Sequence, residues 1–281
     1  MLHTQQATPS ASATLLLGFF LASDLIAAPV VPALPARPDG TTTSLVSVTL
    51  SGVPGNGPSG TGSGRPHALS DSGRFLAFTS GANDLVPGDT NGQVDVFLRD
   101  RLMGTTVRCS VGDAGQEGNG ACEQVAVSND GRFVAYASRS SNLVSGDTNA
   151  DFDVFLWDGL AGTSSLVSRT PAGTAGDGAS MWPSLDGSGS RVAFHSTASD
   201  LVPGDSNMNQ DVFLFERSSQ TVSRESVASD GSQGPFLSIT PSLAQGGRFL
   251  VFASRSRLDP ADPNTRLDVY VRDLLQGTTE V

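Results

Sequence analysis

Four segments of the chain carry acidic and amide side chains at one shared spacing, Asp-x-Asn-x-x-x-Asp. They are Asp89/Asn91/Asp95, Asp147/Asn149/Asp153, Asp205/Asn207/Asp211 and Asp262/Asn264/Asp268. Side-chain oxygens repeated at such short intervals in a loop are ligands that calcium accepts. The residue two places after the Asn is Gln93, Asp151, Asn209 or Arg266 in turn. The second segment, where Asp151 adds a carboxylate, is therefore the best candidate for a calcium site, and the fourth segment is the worst.

The same spacing also has a purely structural interpretation. Asp and Asn in loops accept hydrogen bonds from nearby backbone N–H groups as Asx-turns, and a repeated loop must be fixed in the same way in each copy. The segments lack the glycine and the distal glutamate of an EF-hand. Calcium loop and structural turn both stay open, and the sequence indicates no other cofactor.

Few residues favour catalysis. The chain has no lysine among its 17 basic residues, which excludes Schiff-base chemistry and a phosphate-loop lysine. It has no Gly-x-Ser-x-Gly element, and its histidines are His3, His67 and His195. His195 stands alone at a position that small residues hold in the other copies, which favours packing. A pair of acid and base carboxylates is not excluded by sequence, but it should break the repeat, and we assign no catalytic residue.

Four other residues are exceptions to the repeat or rare in the chain. Trp157 and Trp182 replace unrelated residues of the other copies, and Trp182 is either core or a stacking platform for a ligand. Cys109 and Cys122 are the two cysteines. They form either a short-loop disulfide, if the protein is exported, or two buried thiols.

The elements that position these residues recur with a fixed period. Gly73, Gly131, Gly189 and Gly247 begin the copies at intervals of 58 residues. In the second copy we predict strands near 123–128, 132–138, 153–158 and 163–169, joined by a tight turn, a long loop and a short turn. Four-stranded antiparallel units in tandem are typical of the blades of a β-propeller, because each unit buries its sheet against its neighbours.

Aromatic residues recur at two matching strand positions and should form the core between blades. One position holds Phe78, Tyr136, Phe194 and Phe252, and the other holds Phe97, Phe155, Phe213 and Tyr270. The segments Ser70-Asp71-Ser72-Gly73-Arg74 and Ser128-Asn129-Asp130-Gly131-Arg132, with the Asp-Val-Phe-Leu strands, resemble the TolB-like propeller repeat. That resemblance implies an all-β propeller that serves as a protein-interaction module, a peptidase accessory domain or, rarely, a lyase.

The sequence predicts the following organisation: a leader at 1–28, a Pro/Ala-rich linker at 29–40 and a propeller at 41–281. The repeats run near 67–122, 123–180, 181–238 and 239–281, and residues 41–50 are an extra strand that could close the ring. TolB-like propellers usually have about six blades. Four visible copies therefore indicate either a small ring or an incomplete arc, whose open edge would invite self-association.

Composition limits the class of partner. A net charge of -11 without a basic run disfavours nucleic acids and anionic membranes. The apolar run at 14–22 is too short to span a bilayer and resembles a secretory signal, which predicts a periplasmic or secreted protein. We expect a non-enzymatic module that binds a protein or glycan through acidic loops on one face. A hydrolase or lyase near the axis, and a fragment of a longer propeller, are the alternatives.

Overall fold

The computed structural model describes residues 43–281, and the predicted leader and linker, with His3, lie outside this range. All regular structure in the range is β-strand, in four sheets that we call blades one to four. Blade one contains β1 (His67–Leu69), β2 (Phe75–Ser80), β3 (Asp95–Asp100) and β4 (Thr105–Arg108). Blade two contains β5 (Cys122–Val127), β6 (Phe133–Ser138), β7 (Asp153–Asp158) and β8 (Thr163–Leu166).

The remaining blades repeat this order. Blade three contains β9 (Ser180–Leu185), β10 (Arg191–Ser196), β11 (Asp211–Glu216) and β12 (Thr221–Arg224). Blade four contains β13 (Ser238–Leu243), β14 (Phe249–Ser254), β15 (Asp268–Asp273) and β16 (Thr278–Glu280). Consecutive strands pair antiparallel in every blade, which confirms the predicted all-β propeller of four-stranded blades.

Each blade begins its second strand after a tight turn and is held there by an ion pair. In blade two Arg132 pairs with Asp158 at 2.8 Å, and the other blades repeat the contact. The repeats are Arg74–Asp100, Arg191–Glu216 and Arg248–Asp273. These pairs are partly exposed, so each contributes little to stability on its own, and their value lies in fixing the same turn four times.

The two faces of each sheet pack against different neighbours. In blade two the backward face, with Val134, Tyr136, Phe155 and Trp157, packs on blade one. Its forward face, with Phe133, Ala135, Val154 and Leu156, packs on blade three. In each blade the predicted aromatic pair stacks within the sheet, with ring centroids 5.7–6.0 Å apart. Burying a large apolar side chain contributes roughly 1.5–3 kcal/mol, so these interfaces hold the array together.

The blades form an open arc rather than a closed ring. The first strand of each blade contacts the first strand of the next, from β1 to β5, to β9, to β13. Three apolar clusters join blade one to two, two to three and three to four, and none among residues 43–281 joins blade four to blade one. Residues 43–50, for which the sequence suggested a closing strand, form no strand, and β16 holds the fourth place in blade four.

Candidate functional site

The long loops between the second and third strands of a blade lie beside the loops that lead to the next blade. Asn149 donates to the Gly176 carbonyl at 2.8 Å, and Asn91 and Asn207 make the same contact to Gly118 and Gly234. We call the surface formed by these loops, residues 81–94, 109–121, 139–152, 167–179, 197–210, 225–237 and 255–267, the long-loop face. Both sets of long loops therefore share one end of the array, as the alternation of strands predicts.

The Asn in the middle of each motif stabilises the backbone of its own loop. The Asn149 Oδ1 accepts the backbone N–H of Asp151 at 2.9 Å, and Asn91, Asn207 and Asn264 accept the N–H of Gln93, Asn209 and Arg266 in the same way. These are Asx-turns. The Asp151 side chain is exposed, so it does not join the buried carboxylates of its motif.

The last Asp of three motifs is bound to a serine from the segment after the fourth strand. Asp153 accepts from Ser168 at 2.6 Å and Asp211 from Ser226 at 2.5 Å, and Asp95 accepts from Ser110. Each serine oxygen also accepts the N–H of the valine that follows the Asp. This contact ties the start of the third strand to the chain leaving the blade. Within residues 43–281, no serine reaches Asp268.

The first Asp of the motif pairs with an equivalent arginine in blades one and three, but not in blades two and four. Asp89 pairs with Arg108 at 3.5 Å, and Asp205 pairs with Arg224 at 3.3 Å. In blade four Asp262 accepts the Tyr270 hydroxyl at 2.5 Å, which lowers the pKa of that carboxyl. In blade two Leu166 stands where the arginines stand, and Asp147 has no such partner.

The pKa values of the buried motif carboxylates reflect this difference in neighbours. Burial is the main cause that raises the pKa of Asp153 to about 7, and the nearby Asp147 charge adds to it. Burial also raises the pKa of Asp147, and the approaching N–H of Asn149 offsets part of that rise without completing a hydrogen bond. In blade one burial raises the pKa of Asp89 to about 6 although Arg108 is present. The buried carboxylates of the motifs thus differ from blade to blade in how far neighbouring charges and hydrogen-bond donors offset the cost of their burial.

The histidine and tryptophan exceptions do not assemble a catalytic centre. His195 is buried, and its Nδ1 accepts the N–H of Thr240 at 3.3 Å. Burial alone lowers the pKa of His195 to about 4, so the imidazole is neutral at pH 7 and no carboxylate activates it. Trp182 lies 6.4 Å from His195 between ring centroids. His67 is exposed on β1.

A glycine-rich segment covers the inner edges of blades two and three. The Arg65 carbonyl accepts the N–H of Val125 at 2.8 Å, and Ser63 donates to Glu123 at 2.7 Å. A Cβ on Gly64 would lie 2.8 Å from the Trp182 ring, so only a glycine lets the chain pass there. The Trp182 ring is therefore covered on that side.

Sequence reasoning missed a strained position on the inner strands. Gln124, Trp182 and Thr240 are equivalent residues with φ of 44°, 59° and 53°, each at an irregularity in the pairing of the first two strands. The Gln124 side chain accepts the N–H of Trp182 at 2.8 Å, which links two of the bulges. The residues share no sequence feature, and only their common place in the repeat would have indicated it.

Trp157 and the two cysteines are parts of the core. Trp157 lies in the core between blades one and two. Cys109 and Cys122 are free and fully buried in the same core, and burial raises the pKa of the Cys122 thiol to about 12. Among residues 43–281, no three His, Cys, Asp or Glu side chains converge as a metal site, and no helix could cross a membrane.

The sheets define this chain as a β-propeller array, and solved structures give it relatives in shape. No protein-family model and no curated protein matches it. It resembles TolB from Acinetobacter baumannii (14% identity, 76% of this chain, 42% of that chain, TM-score 0.43). It also resembles oligogalacturonate lyase from Vibrio parahaemolyticus (10% identity, 81% of this chain, 54% of that chain, TM-score 0.49). A third similar structure is the β-propeller domain of the Trilobed protease from Pyrococcus furiosus (10% identity, 76% of this chain, 54% of that chain, TM-score 0.44).

The resemblance to TolB-like propellers concerns fold alone. The chain spans 42% of the first of these structures and 54% of the other two. At these identities and TM-scores the likeness carries no argument about activity, substrate or partner.

Proposed function

We propose that this protein is a non-enzymatic interaction module that binds a basic protein segment through its long-loop face. The observation that carries the proposal is the set of exposed carboxylates on that face. Asp113, Asp151, Asp177 and Asp200 are exposed and form no ion pair with any residue in 43–281. Unpaired carboxylates attract a partner of the opposite charge.

The loops that carry these carboxylates are held rigidly across blade boundaries. The N–H of Asp113 donates to the Leu143 carbonyl at 3.1 Å, which joins blade one to blade two. The N–H of Asp177 donates to the Asp200 carboxylate at 2.9 Å, which joins blade two to blade three. A rigid loop surface loses little conformational entropy on binding, and this favours recognition.

A role in catalysis has less support. The recurring carboxylates hold the same loop contacts in successive blades, and the exceptional His195 is neutral and has no carboxylate acting on it. These features favour binding over the hydrolase or lyase alternative.

Calorimetric titration of the full chain with a nona-arginine peptide tests the proposal. We expect binding that weakens as salt rises, because exposed charges are screened. The double variant Asp113→Asn/Asp151→Asn should weaken it severalfold. Asp71→Asn is the matched control, because Asp71 lies in a short turn at the other end of blade one and its equivalent in blade two is Asn129.

Two results would overturn the proposal. One is the absence of peptide binding at low salt, and the other is an affinity that the double variant leaves unchanged. Binding of a neutral oligosaccharide in place of the peptide would replace the basic partner with a glycan. An exported location is also a proposal, which rests on the leader-like residues 1–28, and N-terminal sequencing of the mature protein would test it.

A further inference from the structure

Asp147 and Asp153 of blade two are two buried carboxylates that the protein compensates only in part. Asp147 is 5% exposed and Asp153 is fully buried. Both oxygens of Asp147 and the Oδ2 of Asp153 form no hydrogen bond with any residue in 43–281. A buried carboxylate oxygen without a partner costs free energy, so such a pair calls for a positive or donating group.

Blade three shows what occupies the corresponding position there. The side-chain nitrogen of Gln233 lies 2.7 Å from Asp205 and 3.0 Å from Asp211, so one donor bridges the two carboxylates. Arg224 adds a positive charge beside Asp205. In blade one Arg108 holds the arginine position beside Asp89, but Glu117, at the position of Gln233, is a further carboxylate and pairs with Arg108.

Blade two has lost both groups together. Leu166 replaces the arginine, and Ala175 replaces Gln233. A surface groove of about 460 Å³, lined by Gly146, Leu166, Arg169 and Thr174 among others, lies next to this position. Blade two thus lacks both the cation and the bridging amide that blade three places beside its two carboxylates.

We propose that Asp147 and Asp153 bind a calcium ion at the place where the Gln233 amide bridges the equivalent carboxylates of blade three. A point within 3 Å of both carboxylates suits calcium, whose oxygen ligands lie at about 2.3–2.6 Å. Water and backbone carbonyls complete the coordination, since two carboxylates supply only part of a shell of six to eight oxygens. The ion takes the place of the Gln233 amide and of Arg224 in blade three.

Thermal unfolding and calorimetry of the chelator-treated full chain, titrated with calcium chloride, test this site. We expect heat of binding and a saturable rise in Tm. Asp147→Asn should abolish both, and Ala175→Gln, which restores the bridging amide of blade three, should abolish them while the protein still folds. Asp205→Asn, the equivalent change in blade three, should leave the calcium response intact.

The inference is overturned if millimolar calcium gives neither heat nor a change in Tm. It is also overturned if Ala175→Gln and Asp147→Asn respond as the unchanged protein does, because calcium would then bind elsewhere.

A different observation concerns the two ends of the arc. The forward face of blade four exposes Val269 (61%), Val271 (40%) and Phe249 (41%). The equivalent residues of blade two, Val154, Leu156 and Phe133, are buried by blade three. On the backward face of blade one Leu69 is 55% exposed where Val127 of blade two is buried, while Phe78 and Phe97 of that face are buried.

These exposed residues of blade four and blade one correspond to the two sides of the interface that joins consecutive blades, which occurs three times within the molecule. Asp268, at the start of β15, lacks the serine that binds its equivalents. Ser47, which follows Leu45 and Val46 as Ser168 follows Leu166 and Val167, lies beside blade one and reaches no third-strand Asp in the described range. From this continuity we infer that blade four of one molecule packs on blade one of a second copy, and that Ser47 of the second copy binds Asp268.

Sedimentation velocity of the full chain over a wide range of concentration tests this contact. We expect reversible association, which Val269→Glu and Leu69→Glu each abolish. An equimolar mixture of the two variants should form a heterodimer, because each retains the half that the other has lost. Met208→Glu changes an exposed apolar residue on the long-loop face and should have no effect.

A chain that stays monomeric at every concentration overturns the inference and assigns the exposed face to another partner. Association that survives Leu69→Glu, or a mixture that stays monomeric, also contradicts a head-to-tail contact.

Discussion

The turn glycines offer a direct measurement of how tightly the blades pack. Gly131 has a φ of 71°, and a Cβ added there would lie 2.3 Å from the Phe75 ring of blade one. Gly73 has nearly the same φ of 69°, but the nearest atom is the flexible end of Arg101 at 3.6 Å. The two positions therefore share a backbone strain and differ in the space available to a methyl group.

Alanine at Gly131 should be far more destabilising than alanine at Gly73. The left-handed backbone costs a non-glycine residue about 1–2 kcal/mol, and this applies to both. Overpacking against the phenylalanine ring adds about 1–3 kcal/mol at Gly131 alone. We expect losses of roughly 2–5 kcal/mol for Gly131→Ala and roughly 1–2 kcal/mol for Gly73→Ala, from the sum of these effects.

Urea unfolding followed by tryptophan fluorescence measures both losses. Combining Gly131→Ala with Phe75→Ala should recover the overpacking part, so a double-mutant cycle should give a coupling of about 1–3 kcal/mol. Equal losses at Gly131 and Gly73, or a coupling near zero, would refute the packing of the turn against the ring of the preceding blade.

Three further predictions follow from buried polar groups. Burial lowers the pKa of His195 to about 4, so the unfolded chain takes up the proton first as pH falls. The stability that the neutral imidazole contributes is complete above about pH 6.5 and is lost between 6.5 and 4, by about 3 kcal/mol in total, and unfolding of His195→Ala should show a flatter profile there. Because burial raises the pKa of Cys109 and Cys122, neither thiol should react with Ellman's reagent at pH 8 until urea unfolds the chain. Ser226→Ala should lower the free energy of unfolding in urea by about 1–3 kcal/mol, because it leaves the buried Asp211 with one fewer donor.

The repeat allowed the fold to be predicted in detail. The third strand of blade two, Asp153–Asp158, begins and ends where the pattern placed it, and the second begins at Phe133, one residue later than predicted. The stacked aromatic pairs follow from matching positions. The fourth strand is shorter than predicted, because Ser168 leaves the sheet to bind Asp153.

The candidate site was less accessible to sequence reasoning. The motif alone does not show which carboxylates are compensated, because the compensating residues come from the fourth strand and the loop after it. The differences at Arg108, Leu166 and Arg224 are visible in the sequence, but their meaning depends on the contact with the motif across the blade. Burial of Asp147 and Asp153, and the coverage of Trp182 by Gly64, arise only from tertiary packing.

The short turns at the start of successive second strands are bonded in series. The N–H of Asn129 donates to the Gly187 carbonyl, and the N–H of Gly187 donates to the Gln245 carbonyl, both at 2.9 Å. Blade three thus donates to the unit after it and accepts from the unit before it through the same residue, and the Asp71 N–H of blade one donates to the Asn129 side chain of blade two. A gene that gains or loses one whole 58-residue stretch would keep these bonds and the apolar contacts in register, so the length of this protein can change in evolution by whole blades.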